Sequence, residues 1–228
     1  MLAFCPCLAA AGCVPPSPMG LILPGPQKPG TVILQAQAAG GYGRYGDEGY
    51  GIRYGGGGVL HLETFATSRI SLPLSLSIGR LWDASMPRLL AEDSQAWKYY
   101  GTLRMGVRYR VGDSLSVGGG VGGSAYRGKL SFDDLWDEED PAPSVSGGCA
   151  HLDFEWSRSK RHGDLIIAFS HRLVWDASFL LTFHMPAELT LALSPRGSRF
   201  ALTLSVFVVW TLPAVFWGGS SLGLVLRI

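Results

Sequence analysis

The stretch RFALTLSVFVVWTLPAVFW, Arg199 to Trp217, carries a single charge, and that charge stands at its first position. By length it suits a membrane helix, since the run from Phe200 supplies about 18 mostly apolar residues, close to the minimum for a bilayer-spanning α-helix. By order it does not. Phe200, Leu202, Leu204, Val206, Val208 and Trp210 are large and apolar, while Ala201, Thr203 and Ser205 between them are small or weakly polar. That is a period of two, the spacing at which side chains alternate between the faces of a strand. Phe200 to Trp210 therefore reads as a strand with an acyl-chain face and an interior face, followed by a short loop around Pro213.

The same period runs through the chain from Thr31 onward. In TLRMGVRYR, Leu103, Met105, Val107 and Tyr109 share one face and Thr102, Arg104, Arg108 and Arg110 the other. From Phe179, a segment sets Leu181, Phe183, Met185, Leu189, Leu191 and Leu193 against Thr182, His184, Glu188 and Thr190. Alternation also appears at about 31–45, 49–66, 70–82, 114–127, 148–159, 164–175 and 216–228. The total is about ten strands, with eight as the alternative, each near the length of about nine to eleven residues that a tilted strand needs to cross a bilayer. Short gaps fall at Thr67–Arg69, Gly112–Ser114, about 160–163 and about 195–197, and long ones at about 83–96 and 128–147. Short turns on one side and long loops on the other are the habit of transmembrane barrels.

Composition agrees. Charged residues are 16% of the 228, against roughly 25% in soluble domains, and 31 glycines accompany them. A net charge of +1, with no arginine-rich or aromatic-plus-basic motif, gives no reason to expect a nucleic-acid partner. Cys5, Cys7, Cys13 and Cys149 show no metal-ligand spacing, so neither a metal nor a cofactor is expected.

Face parity predicts one register in detail. A three-residue loop, Gly112 to Ser114, opposes Arg110 with Ser116, Arg108 with Gly118 and Arg104 with Gly122, because opposed residues must point to the same side of a sheet. The run GGGVGGS then leaves room beside long arginine side chains in a narrow interior. Trp156, Trp175, Trp210, Trp217, Tyr99 and Tyr109 fall toward strand ends, as interfacial aromatic girdles do. A soluble lipocalin-like barrel would reverse the faces and show water an outer surface of Gly118, Gly120, Gly122, Ser75 and Ser77 with few charges.

At the N-terminus, MLAFCPCLAAAGCVPPSP is a short apolar, small-residue run. Ala10-Ala11-Gly12-Cys13 resembles a bacterial lipobox in which Cys13 would be acylated, although Ala10 stands where leucine is expected and no Lys or Arg precedes the run. An ordinary signal cut after Ala11 is the other reading, and both imply export. Three regions follow: 1–13 as signal, 14–30 as a Pro-rich extended tether, and 31–228 as the barrel.

Over residues 31–228 the chain resembles the small outer-membrane β-barrels of Gram-negative bacteria, in the general OmpA/OmpX-like class. The resemblance implies an all-β, antiparallel up-and-down transmembrane β-barrel in the bacterial outer membrane. It also implies a monomer, with outer-membrane lipid, lipopolysaccharide and the barrel-assembly machinery as partners. An even strand count places both termini on the short-turn, periplasmic side. Three features depart from the pattern. Ile228 stands where a terminal aromatic is usual; Pro73 and Pro186 fall inside strands, which predicts bulges; and His171 falls on the lipid face, which predicts a bulge or a place near the interface.

The lumen is where chemistry would reside. Arg104, Arg108, His151, Asp153, Glu155, Arg172, His184 and Glu188 would be enclosed, and buried charges need partners. A salt-bridged network is expected, with Asp153–Arg172 as a diagonal pair. Barrels of this size hold little more than side chains. The leading expectation is a structural or surface-displaying barrel with a mostly filled lumen, and the alternative is a narrow polar pore. A further alternative is a lipid-modifying hydrolase. Loops at Lys160–Gly163 and Asp176–Ser178 would set Asp153, Ser170 and His184 in one row. Serine would then be central, whereas in an acyl-transfer triad the histidine bridges acid and serine, so an enzyme is not the expectation. The loop SFDDLWDEEDPAP lacks the calcium-loop spacing with its central glycine and reads as a solvated acidic segment.

Overall fold

The computed structural model describes residues 19–45, 52–83, 97–129, 144–176, 183–211 and 215–228. The signal region with Cys13, the first part of the tether, the acidic loop 130–143 and the side chains of Cys149 and Trp217 lie outside the described residues.

Ten strands follow in chain order: β1 (Val32–Tyr45), β2 (Ile52–Phe65), β3 (Ile70–Asp83), β4 (Trp97–Arg110), β5 (Leu115–Lys129), β6 (Ser144–His162), β7 (Leu165–Asp176), β8 (Phe183–Leu193), β9 (Phe200–Thr211) and β10 (Val215–Arg227). Each pairs antiparallel with its chain neighbours, and β10 closes on β1. Closure leaves no unpaired edge, the condition for a sheet to sit in hydrocarbon. The opening stretch is therefore strand β9 and the start of β10, not a helix.

The alternation sorts as expected. On β9, Phe200, Leu202, Leu204 and Val206 point outward, 52–55% exposed, while Ala201, Thr203 and Ser205 are buried inside. Leu72, Leu74, Leu76, Leu103, Met105, Leu152, Phe154, Leu222 and Leu224 continue the outer surface around the barrel. An apolar belt of this extent would not face water in a monomeric soluble protein, and the interior is polar, so the lipocalin-like arrangement is excluded. Trp156, Trp210, Tyr99 and Tyr109 are among the outward aromatics.

Connections 66–69, 111–114, 163–164 and 194–199 lie at the end that also holds Thr31 and Ile228. The β4–β5 register is the expected one: Arg110 opposes Ser116, Arg108 opposes Gly118 and Arg104 opposes Gly122.

Two expectations are corrected. The β6–β7 turn is Gly163 and Asp164, not Lys160–Gly163, because Gly163 takes a left-handed conformation (φ 62°) and lets β6 run to His162. Pro73 and Pro186 produce no bulge. On β3, Ser71 opposes Arg108 and Leu74 opposes Met105 with the register unchanged, so the proline, lacking an N–H, only interrupts the ladder toward β4. Pro186 does the same toward β7, between the pairs His171–Ala187 and Val174–His184. His171 needs no bulge either; it lies half-buried and stacks on Trp156 at 5.9 Å between ring centroids. The end of the 14–30 segment enters the barrel. Met19, Leu21, Ile22 and Leu23 are buried, and the hydrogen bonds Gly25 N to Asp113 O (2.8 Å) and Gly30 N to Phe65 O (2.7 Å) pin the following residues to the short-turn rim.

Candidate functional site

The lumen is the one enclosed polar region among the described residues, and two kinds of wall surround it. On the first, β2, β4, β6 and β7 supply charge. Arg104 grips Asp153 with Nε (2.6 Å to Oδ2) and Nη2, and its Nη2 reaches Glu155 at 3.0 Å. Arg108 donates from Nε to Glu155 (2.8 Å) and from Nη1 to Glu63 (2.6 Å). Arg172 donates to Glu155 at 3.2 Å. Glu155 thus receives three guanidinium groups, and Glu63 also accepts from Ser71. All of these side chains are buried. Buried charges persist only when partnered in this way.

The intervening strands make room. Lumen-facing positions on β5 are Gly118, Gly120 and Gly122, across which the arginines of β4 reach the acids of β6. A Cβ on Gly120 would stand 3.1 Å from both Arg104 Nη2 and Asp153 Oδ2, and one on Gly122 would stand 2.3 Å from His151 Nε2. Volume removed from β5 is filled by the ion pairs of its neighbours.

The second wall comprises β8, β9, β10 and β1. Its inward residues are mostly neutral: Gln35, Gln37, Thr190, Thr203, Ser205 and Ser221 are polar, Phe207 and Val209 are apolar, and Glu188 is the one acid among those described. Against it lies Met19–Leu23, here called the strap. Met19 N donates to Glu188, and Leu21 N donates to Gln35 Oε1 at 2.7 Å. Arg110 Nη2 holds the Leu23 carbonyl at 2.9 Å, with the guanidinium 5.6 Å from the Phe65 ring. Leu21 and Leu23 pack among Ile33, Phe65, Ile166, Ala192 and Val225 at the short-turn end. A cavity of about 20 Å³ lies between the strap and Gln35, His61, Glu63 and Arg108, room for about one water molecule.

The residues expected in the lumen are all on strands that face it, but their partners differ from the expected ones. Asp153 pairs with Arg104 rather than Arg172, which pairs with Glu155. His151 lies across from Gly122, nearer the long-connection end, and His184 opposes Val174 and Thr211. Glu188 stands apart from the arginine network and serves the strap. The row Asp153–Ser170–His184 does not form. With the two-residue β6–β7 turn, Ser170 opposes Ser157 and Glu188, while Asp153 opposes Val174. Ser170 and Val174 are four positions apart on β7, roughly 13 Å at strand rise, so Asp153, Ser170 and His184 are not brought together. Glu63 and Gln35 join the site beyond the residues that the sequence points to, and Arg110, placed on the inner face by parity, holds the strap. The parity of HLETF, with His61, Glu63 and Phe65 on one face, carries the signal for Glu63.

No protein-family model matches the chain, and no curated protein sequence matches it. Solved structures do. The architecture is that of outer-membrane β-barrels of Gram-negative bacteria, a closed antiparallel barrel with an apolar belt and a polar lumen. The translocator domain of the autotransporter NalP from Neisseria meningitidis is similar with a TM-score of 0.57 at 14% identity, over 89% of this chain and 90% of that one. The β domain of the Bordetella autotransporter Brka is similar with a TM-score of 0.53 at 9% identity, over 87% of this chain and 100% of that one. At these identities the likeness is one of fold.

Proposed function

We propose that this chain is a structural, surface-displaying barrel of the bacterial outer membrane, monomeric, with both termini on the periplasmic side and its long connections outside. The observation that supports this reading is the closed lumen. Ion pairs centred on Glu155 fill one half, and the strap fills the other. A filled barrel contributes its rigidity and its loops. The acidic connection 130–143, with Asp133, Asp134, Asp137, Glu138, Glu139 and Asp140, is then the segment offered to the exterior, where it meets cation-bridged lipopolysaccharide or a basic partner.

The test is expression in a Gram-negative host with an epitope inserted in 130–143. The expected result is recovery in the outer-membrane fraction, a faster-migrating unboiled band, and antibody labelling of intact cells. Labelling only after permeabilisation would reverse the orientation. Loss of the heat-dependent band would remove the membrane-barrel reading altogether.

A further inference from the structure

The strap is held differently from everything else in the lumen. A strand is fixed by a ladder on both sides, whereas Met19–Leu23 is tied to the barrel wall by the Met19 and Leu21 amides and the Leu23 carbonyl. Its remaining hold is the apolar seat of Leu21 and Leu23. Above that seat the neutral wall carries polar groups up to Ser205, beyond which Phe207 and Val209 take the inward face of β9; several of the polar groups have no protein partner, with Gln35 Nε2, Gln37 Oε1 and Thr203 Oγ1 buried and unbonded. Groups of this kind are ordinarily satisfied by water. Below them, Ile33, Phe65, Ile166, Ala168, Ala192, Ala201 and Val225 form an apolar cluster at the short-turn end, and Leu21 and Leu23 complete it. A hydratable column over an apolar constriction has the layout of a pore that closes by excluding water.

We propose that Met19–Leu23 is a gate, and that its release opens a narrow ion path along the β8–β9–β10–β1 wall. The proposal rests on the outer-membrane barrel reading and adds a conducting state to it. The void left by a departed strap spans five residues, many times the roughly 30 Å³ that one water occupies in the liquid. The Glu155 network would stay in place, because none of its members bonds the strap. Glu188, freed of the Met19 amide, would then line the path and favour cations over anions relative to the same path without its charge.

Gly20 allows the gate to be moved without touching the wall. Its φ is +84°, and a Cβ there would stand 3.1 Å from His61 Cδ2 and 3.4 Å from Gln35 Oε1. Gly20→Val therefore unseats the strap through strain and collision. Leu21→Ser/Leu23→Ser instead keeps the strap and wets its seal. Full-length wild type and both variants would be reconstituted in planar bilayers in potassium chloride, with heat-dependent gel migration reporting barrel formation for each. Discrete conductance steps are expected from both variants, with wild type closed for most of the record. Adding Glu188→Gln to Gly20→Val should shift the reversal potential in a salt gradient toward anions. Folded variants as silent as wild type would overturn the gate and leave the barrel reading intact, as would wild type conducting as freely as the variants. Absence of a heat-dependent band in wild type would overturn the barrel reading itself.

Discussion

The two halves of the lumen arise from the same alternation and differ in what fills them. Between β2 and β7, four acids and bases on β4 and β6, joined by Glu63 and Arg172, bond one another across the glycines of β5. From β8 to β1 the wall offers amides and hydroxyls, and the space is filled by chain that precedes the first strand. The first filling is cooperative with the barrel, since its members belong to strands and cannot leave without opening the sheet. The second is an appended segment that can in principle leave alone. A closed lumen can therefore be permanent on one side and conditional on the other.

The largest expected effect is on the permanent side. Glu155→Ala removes the carboxylate shared by Arg104, Arg108 and Arg172, leaving Asp153 and Glu63 against three buried guanidinium groups. Removing one member of a buried ion pair costs about 3–5 kcal/mol, and here the network has no spare acid. Urea titration of the vesicle-inserted barrel, followed by the heat-dependent band, should show the unfolding free energy, midpoint times slope, fall by that amount. An unchanged midpoint would mean that water already reaches the arginines and that this half is not sealed by charge.

Next in size is Gly120→Val. Its Cβ would stand 2.6 Å from the Met105 carbonyl oxygen as well as against the Arg104–Asp153 pair, and overpacking of this kind costs about 1–3 kcal/mol. The same titration reads it. A neutral result would show that Arg104 can withdraw toward Glu155 without loss, which would weaken the claim that β5 is hollowed to fit the pair.

This contrast also marks what the sequence could reveal. Period two in TLRMGVRYR and RFALTLSVFVVW is a direct consequence of one face meeting hydrocarbon and the other a polar lumen, so strand number, faces and the β4–β5 register could be read without coordinates. Partners inside the lumen could not. An arginine reaches acids two strands away, and which acid it meets depends on turn geometry; one left-handed glycine at 163 moved Ser170 away from Asp153 and joined Arg172 to Glu155. The strap was hidden for another reason. MGLIL lies between Pro18 and Pro24, and prolines argue against a folded element; yet a lumen seat asks only for apolar side chains and two free amides, which this run supplies.

Smaller effects belong to the conditional side, and they should differ in kind as well as size. Leu→Ala in a cooperative core costs about 2–5 kcal/mol. At Leu21 the lost contacts with the apolar cluster weaken docking of the strap rather than closure of the sheet. Local opening has its own free energy, distinct from global unfolding. Leu21→Ala should therefore leave the unfolding free energy from urea titration within about 0.5 kcal/mol of wild type, as for substitutions outside the cooperative core. Hydrogen exchange at 19–23 should rise while β8 and β9 stay protected. If exchange rises across both strands together, strap and wall form one cooperative unit and the division of the lumen into two halves fails.

Glu188→Gln is the mildest change. It preserves the side-chain shape, keeps one acceptor oxygen for the Met19 amide while its NH2 takes the place of the oxygen that accepts from Thr190, and removes the charge that strengthens the Met19 bond. A hydrogen bond to a charged group contributes about 1.5–3 kcal/mol against about 0.5–1.5 for a neutral one, so docking of the strap should weaken by about 1 kcal/mol. That corresponds to a rise of roughly fivefold in exchange at the Leu21 amide. Gln35→Leu, which removes the acceptor of that amide outright, supplies the upper bound. Should Glu188→Gln leave exchange at Leu21 at the wild-type rate while Gln35→Leu raises it, Glu188 serves as a shape and not as a charge.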